Sequence, residues 1–201
     1  MAGHAFGGKV ALVTGGARGM GRAIALAFAN EGASVVITDI NGDGARTTIS
    51  EIEAGGGDGH FIRADVSVPA EVEALIAGTV ETYGKLDCAV NNAGVELEAG
   101  PLADIEDDVF DRIVAVNLKG VFLCMKVQIR AMVRGDGGTI VNIGSINSLR
   151  PQPTGAVYTS TKSALVGLSR SAAQAVLWLS SPKSSYTFGH LLAVDGGYLA
   201  R

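Results

Sequence analysis

Tyr158 and Lys162 stand four residues apart in YTSTK, at the start of a stretch with helical periodicity, so their side chains share one face. A nearby ammonium favours a phenolate and lowers the phenol pKa from about 10. A tyrosine tuned in that way is a general acid–base near neutral pH. The spacing alone is cheap, and an exposed lysine beside a half-buried tyrosine is its ordinary meaning.

A second group of residues could hold phosphate. TGGARGMG, residues 14–21, lies between an apolar strand and a helix. Its glycines permit a tight turn and a close backbone approach. The helix start then offers free N–H groups and a positive dipole end to a pyrophosphate. Asp39 follows at the end of the next strand, where a carboxylate can accept hydrogen bonds from adenosine ribose hydroxyls and would repel a 2′-phosphate. Arg18 cuts the other way, since a guanidinium near the loop could meet a 2′-phosphate. The balance favours NAD over NADP.

Elements alternate along the chain to position these groups. Strands are expected at 9–15, 34–40, 60–66, 86–94, 137–145 and 189–197. Helices are expected at 20–32, at about 43–54, at 69–84 with proline in its first turn, in one long run from about 106 to 134, and from near Val157. Strands joined through helices imply a parallel sheet covered on both faces, with right-handed crossovers. The expected fold class is α/β, a Rossmann-type doubly wound sheet in three layers, forming a single domain over 1–201. Such sheets bind ligands beyond the carboxyl ends of their strands, where TGGARGMG, TDI, ADV, NNAG and NIGS fall.

Composition narrows the function. The chain has 201 residues, 47% of them hydrophobic, enough for one domain with a sizeable core. Its net charge is −4 and its basic residues are scattered, which argues against nucleic acid or anionic membrane as a partner. No apolar stretch reaches the roughly 18–20 residues of a membrane span, and the N-terminus lacks the pattern of a signal peptide. Cys88 and Cys124 lie in apolar segments and are expected to be reduced core residues of a cytoplasmic protein, with no metal site.

Taken together, TGGARGMG, NNAG at 91–94, Asn117 in VNLKG, Ser145 thirteen residues before Tyr158, YTSTK and the late VDGG at 194–197 resemble the short-chain dehydrogenase/reductase family in order and spacing. The resemblance implies hydride transfer between NAD(H) and a secondary alcohol or carbonyl compound. Tyr158 would exchange the proton with the substrate oxygen. Lys162 would lower the Tyr158 pKa and hold the nicotinamide ribose. Ser145 would hydrogen-bond the substrate, and Asn117 would hold a water of a proton relay. Gly15, Arg18, Gly19, Met20 and Gly21 would line the pyrophosphate, with Asp39 and Ile40 on the adenosine side. Asp65 and Val66 would meet the adenine, and Asn92, Ala93 and Gly94 would meet the adenosine side of the cofactor. ELEAGPL, 96–102, would form one wall of the substrate pocket. Relatives usually assemble as homo-oligomers, so a tetramer or dimer is expected.

The chain departs from the family at GLSRSAAQAVLWLSS, 167–181. In the family a sixth strand, a Pro-Gly turn and a substrate lid intervene near Ala173–Gln174, about 50 residues that are far more than ordinary loop variation. No Pro-Gly dipeptide occurs in this chain. Three readings are open: a segment omitted from the numbering, a true deletion that keeps the cofactor half, or one long helix over 158–179 in a rebuilt fold. A true deletion makes a second function possible, a nucleotide-binding or oligomer-assembly protein without turnover. SYTFGH, 185–190, also differs from the family's usual Val-Thr-Gly-like run.

Overall fold

The computed structural model describes residues 4–98, 100–151 and 154–179, with side chains through residue 172. Five strands are present, β1 (Val10–Thr14), β2 (Ser34–Thr38), β3 (Asp58–Phe61), β4 (Cys88–Asn91) and β5 (Thr139–Asn142). All pair in parallel, in the order β3-β2-β1-β4-β5. The parallel Rossmann-like sheet is therefore as expected. The expected last strand at 189–197 and VDGG lie outside the described residues.

The chain divides into two compact units. The first runs up to Ala93 and takes in Leu123–Ile143, and it contains the whole five-stranded sheet. Helices α1 (Gly19–Asn30), α2 (Gly42–Ala54) and α3 (Pro69–Tyr83) also belong to it. Because strand side chains alternate, β1 sends Ala11 and Val13 to one face and Leu12 to the other. Ala11 and Val13 join Val35, Ile37, Cys88, Val90 and, from α1, Ala25 and Ala29 in one core. Leu12 joins Val36, Leu75, Ile76, Ala89 and Met132 in the second. Burial on both faces explains why VALVT, SVVIT and CAVN read as unbroken apolar runs.

Asn41 caps α2 by accepting a hydrogen bond from the Gly44 amide. Gly84 closes α3 in the left-handed region, at φ 76°. At the N-terminal edge of the sheet, Asp87 accepts from the Val10 amide at 2.8 Å and pairs with Lys9 and Lys85.

The second unit comprises Gly94–Phe122 and the chain from Gly144. It contains α4 (Asp107–Val114), a π-helical turn at Ala115–Gly120, 3₁₀ turns at Leu102–Asp104 and Ile146–Ser148, and α6 (Ala156–Leu179). Helix α5 (Val121–Arg134) begins at the end of its first segment. α6 packs on α4, on the π turn and on the 3₁₀ turn before it.

Two expected elements are corrected. β3 covers Asp58–Phe61 rather than 60–66. Beyond Phe61 the backbone leaves the strand because Asp65 accepts from both the amide and the hydroxyl of Ser67, and its own amide donates to Glu71. That is turn chemistry. The helical run at 106–134 is likewise not uniform, being widened at Ala115–Gly120. Across Ala173–Gln174, by contrast, α6 runs unbroken to Leu179.

Candidate functional site

The loop after β1 is built by close approach. Gly15 lies at φ +68°, and a Cβ there would stand 2.9 Å from Ala93 Cα. At Gly21 an added Cβ would meet the Gly15 carbonyl oxygen at 2.1 Å and Asn92 Nδ2 at 2.5 Å. No side chain is tolerated at either point. Gly19, at φ +55°, has open space around it. Arg18 precedes α1 in extended backbone, and no side chain caps that helix start. Arg18 and Met20 are exposed. An uncapped helix start below an open glycine tip fits an anionic group.

This loop is tied to the end of β4. Thr14 Oγ1 accepts from the amides of Asn92 and Ala93, each at 3.0 Å. Asn92 Nδ2 donates to the carbonyls of Thr14 and Gly15 at 3.0 and 3.2 Å. Thr14 is buried, and its bracing role went unread in the sequence. A hydroxyl ending an otherwise apolar buried strand was the available signal.

Below it lies a buried amide cluster that was also missed. Asn91 and Gln128 exchange two hydrogen bonds, at 3.1 and 2.9 Å, and Asn91 Nδ2 also donates to Asn142 Oδ1 at 2.8 Å.

At the end of β2, Asp39 is half-buried and Ile40 exposed. The Asp39 carboxylate accepts from the Ala17 and Asn41 amides at 3.1 and 2.9 Å. It therefore holds the glycine loop against β2 as well as being available to a ligand. Asp65 stands half-buried in its turn and Val66 is buried. All these residues belong to the first unit. Gly94 opens the second and is exposed.

The second unit brings Asn117, Ser145, Tyr158 and Lys162 into one body. Ser145 sits in extended backbone at the start of the Ile146–Ser148 turn, and its hydroxyl accepts from the Asn147 amide. Ser145 also hydrogen-bonds the Tyr158 phenol. One turn along α6, Lys162 Nζ lies 5.8 Å from the Tyr158 ring centroid, and the lysine is buried. Burial pulls the Lys162 ammonium down to about 8.

The expected lowering of Tyr158 does not appear. Burial raises its phenol, the Glu96 carboxylate adds to the rise, and the Ser145 hydrogen bond only partly offsets them. Desolvation works against both charged forms, phenolate and ammonium.

Asn117 is wholly buried in the π turn. Its Oδ1 accepts from the Val95 amide at 2.8 Å and its Nδ2 donates to the Val95 carbonyl at 2.7 Å. The side chain thus pairs with the backbone of Val95 as a neighbouring strand would. Three residues further, Glu98 turns to the start of α6 and accepts from the amides of Val157 and Tyr158. Of the segment expected to wall the substrate pocket, Glu96 and Glu98 address the tyrosine and its helix.

Among the described residues no helix is long and apolar enough to cross a membrane. Among the same residues no cluster of three or more His, Cys, Asp or Glu side chains is placed to hold a metal. Cys88 and Cys124 are buried free thiols.

Similarity to known proteins agrees with this arrangement. An Aspergillus oryzae short chain dehydrogenase/reductase, astE, is 33% identical over 246 residues, covering 94% of each chain. An alignment of that length cannot be filled by 201 residues, so the relative carries sequence that this chain lacks. Three other curated relatives are matched over only 60–66% of their own length. Among solved structures, NAD+-bound xylitol dehydrogenase superposes with a TM-score of 0.84 at 31% identity, over 86% of this chain and 66% of the other. A metagenomic short-chain oxidoreductase in complex with NADP gives 0.82 at 37% identity, over 85% and 77%. A sequence profile described as short chain dehydrogenase matches residues 9–177. With that match over most of its length and a parallel Rossmann-like sheet, the chain belongs to the short-chain dehydrogenase family of oxidoreductases.

Proposed function

We propose that this chain is an NAD(H)-dependent dehydrogenase or reductase acting on a secondary alcohol or its carbonyl counterpart. The observation that carries the reading is the group of Ser145, Tyr158 and Lys162, with the phenol hydrogen-bonded to Ser145 and the buried lysine one helical turn away. A nicotinamide dinucleotide, when bound, supplies the site that gives or takes the hydride. Gly15, Arg18, Gly19, Met20 and Gly21 would hold its pyrophosphate. Asp39 and Ile40 would take the adenosine ribose, and Asp65, Val66, Asn92, Ala93 and Gly94 the remaining adenosine side.

The protein's own chemistry is proton transfer. Tyr158 gives a proton to a carbonyl oxygen in reduction and takes one from the hydroxyl in oxidation. Ser145 orients that oxygen and shares a hydrogen bond with the phenol. Lys162, charged below about 8, favours the phenolate and contacts the nicotinamide ribose. Because Val95 occupies the Asn117 side chain, a relay water would be held by a peptide carbonyl of the π turn. The Asp39 carboxylate favours NAD over NADP. A cytoplasmic homo-oligomer, tetramer or dimer, completes the proposal.

The experiment measures NADH and NADPH binding, and turnover of secondary alcohols including xylitol, for wild type and Tyr158→Phe. The expected result is tighter NADH binding, kept by both proteins, with turnover reduced about 10²–10⁴-fold in the variant. Activity that survives Tyr158→Phe would sink the assignment. A second reading is favoured by the unbroken α6 and the sequence this chain lacks relative to astE: a nucleotide-binding protein without turnover. NADH binding by a wild type that turns over no alcohol or ketone would select it.

A further inference from the structure

The structure assigns to Glu98 the role of a positioning residue that fixes the start of α6, and with it Tyr158, from 60 residues away in sequence. The inference rests on Tyr158 being the acid–base group. Glu98 Oε1 accepts from the Val157 amide at 2.8 Å and Oε2 accepts from the Tyr158 amide at 2.7 Å. These are the second and third residues of α6, whose amides have no intrahelical partner. Helix starts usually receive such an acceptor from the residue just before the helix. Here both carboxylate oxygens come from a distant loop, and one binds the backbone of the tyrosine itself.

The loop that carries Glu98 is anchored in turn. Asn117 holds Val95 through both its amide and its carbonyl. A continuous chain of contacts therefore runs from the π turn through Val95 and Glu98 to the Tyr158 backbone. Tyr158 has rotational freedom about its side chain, but its Cα is pinned by a bidentate carboxylate. The gain is orientation: the phenol keeps its place beside Ser145. Geometry of this kind matters steeply, since small displacements of a reacting group cost large factors in rate.

The test compares wild type, Glu98→Ala and Glu98→Gln in the full chain. Amide hydrogen exchange at residues 157 and 158 reads the cap directly. An ultraviolet phenol titration, with the Tyr158→Phe signal subtracted, reads the surroundings of Tyr158 without any substrate. NADH binding and steady-state oxidation of xylitol and cyclohexanol complete the set.

In Glu98→Ala the two amides are expected to exchange faster and the phenol to titrate higher as the Ser145 hydrogen bond loosens. kcat should fall about 10–100-fold, with KM and NADH binding unchanged. Glu98→Gln keeps the side-chain length and one good acceptor, so it should recover part of each change. It also serves if the alanine variant does not fold. Unchanged exchange in Glu98→Ala overturns the cap. Faster exchange with an unmoved phenol titration and unchanged kcat overturns the positioning role. If wild type turns over neither alcohol, the dehydrogenase reading fails separately, and the phenol titration alone decides the role of Glu98.

Discussion

At the scale of single residues, the raised Tyr158 phenol has a directional consequence. In the proposed reaction, oxidation of an alcohol would need Tyr158 as a base, and reduction of a carbonyl would need it as an acid. Burial, aided by Glu96, holds the phenol above its ordinary 10.0. Oxidation rates should therefore climb with pH right through 7–10, while reduction rates show no such climb. Initial rates in both directions, at saturating cofactor, check this. An oxidation rate that levels off near pH 7 would mean that the phenol is lowered in the working enzyme after all. Lys162 and Tyr158 were legible as a pair from their spacing, and so was Ser145. Their electrostatic balance was not, because it depends on how deeply both are buried and on Glu96. Neither quantity is local in sequence.

At the scale of elements, one hydroxyl carries part of the bracing of the glycine loop. Thr14 Oγ1 takes two amides from the end of β4. Thr14→Val keeps the shape and removes the acceptor, stranding two partly buried donors. The expected loss is about 1–3 kcal/mol of stability, together with weaker NADH binding. Urea unfolding and fluorescence quenching by NADH measure the two. Full stability in the variant would show that water replaces the hydroxyl. The sheet itself was readable because strands buried on both faces must be largely apolar, as Val10–Val13, Val35–Ile37 and Cys88–Val90 are. β3 was misplaced because DGHF is an edge strand with only partial burial and no apolar run. The π turn was invisible because one widened turn barely changes helical periodicity. The Glu98 cap was invisible because capping patterns are sought next to a helix, and this one arrives from the other side of α4.

At the scale of the whole molecule, one half-buried and one buried charge shape stability against pH. Burial alone would raise the Asp87 carboxyl, but hydrogen bonds from the Val10 amide, Lys85 and Lys9 outweigh it and hold it below its ordinary 3.8. Its stabilisation is complete above that value and fades as pH falls through the lowered one. Lys162 works in the opposite range. Between about 8 and its ordinary 10.5, the unfolded chain keeps a proton that the folded chain has released. Stability from this group therefore rises with pH across that window, by on the order of 3 kcal/mol at most. Relative to Lys162→Met, wild type should gain melting temperature between pH 8 and pH 10. A constant gap between the two proteins would show that Lys162 titrates normally.

The division into two units has a genetic meaning as well. Apart from Gly94 and Lys162, the residues proposed for the dinucleotide lie in one unit, and the four proposed for proton transfer lie in the other. An allele that loses only Tyr158 would not be silent. Its product would still occupy NADH without passing the hydride on, so its effect in a cell would scale with how much of it is made. Dosage, rather than presence or absence, would then set the phenotype.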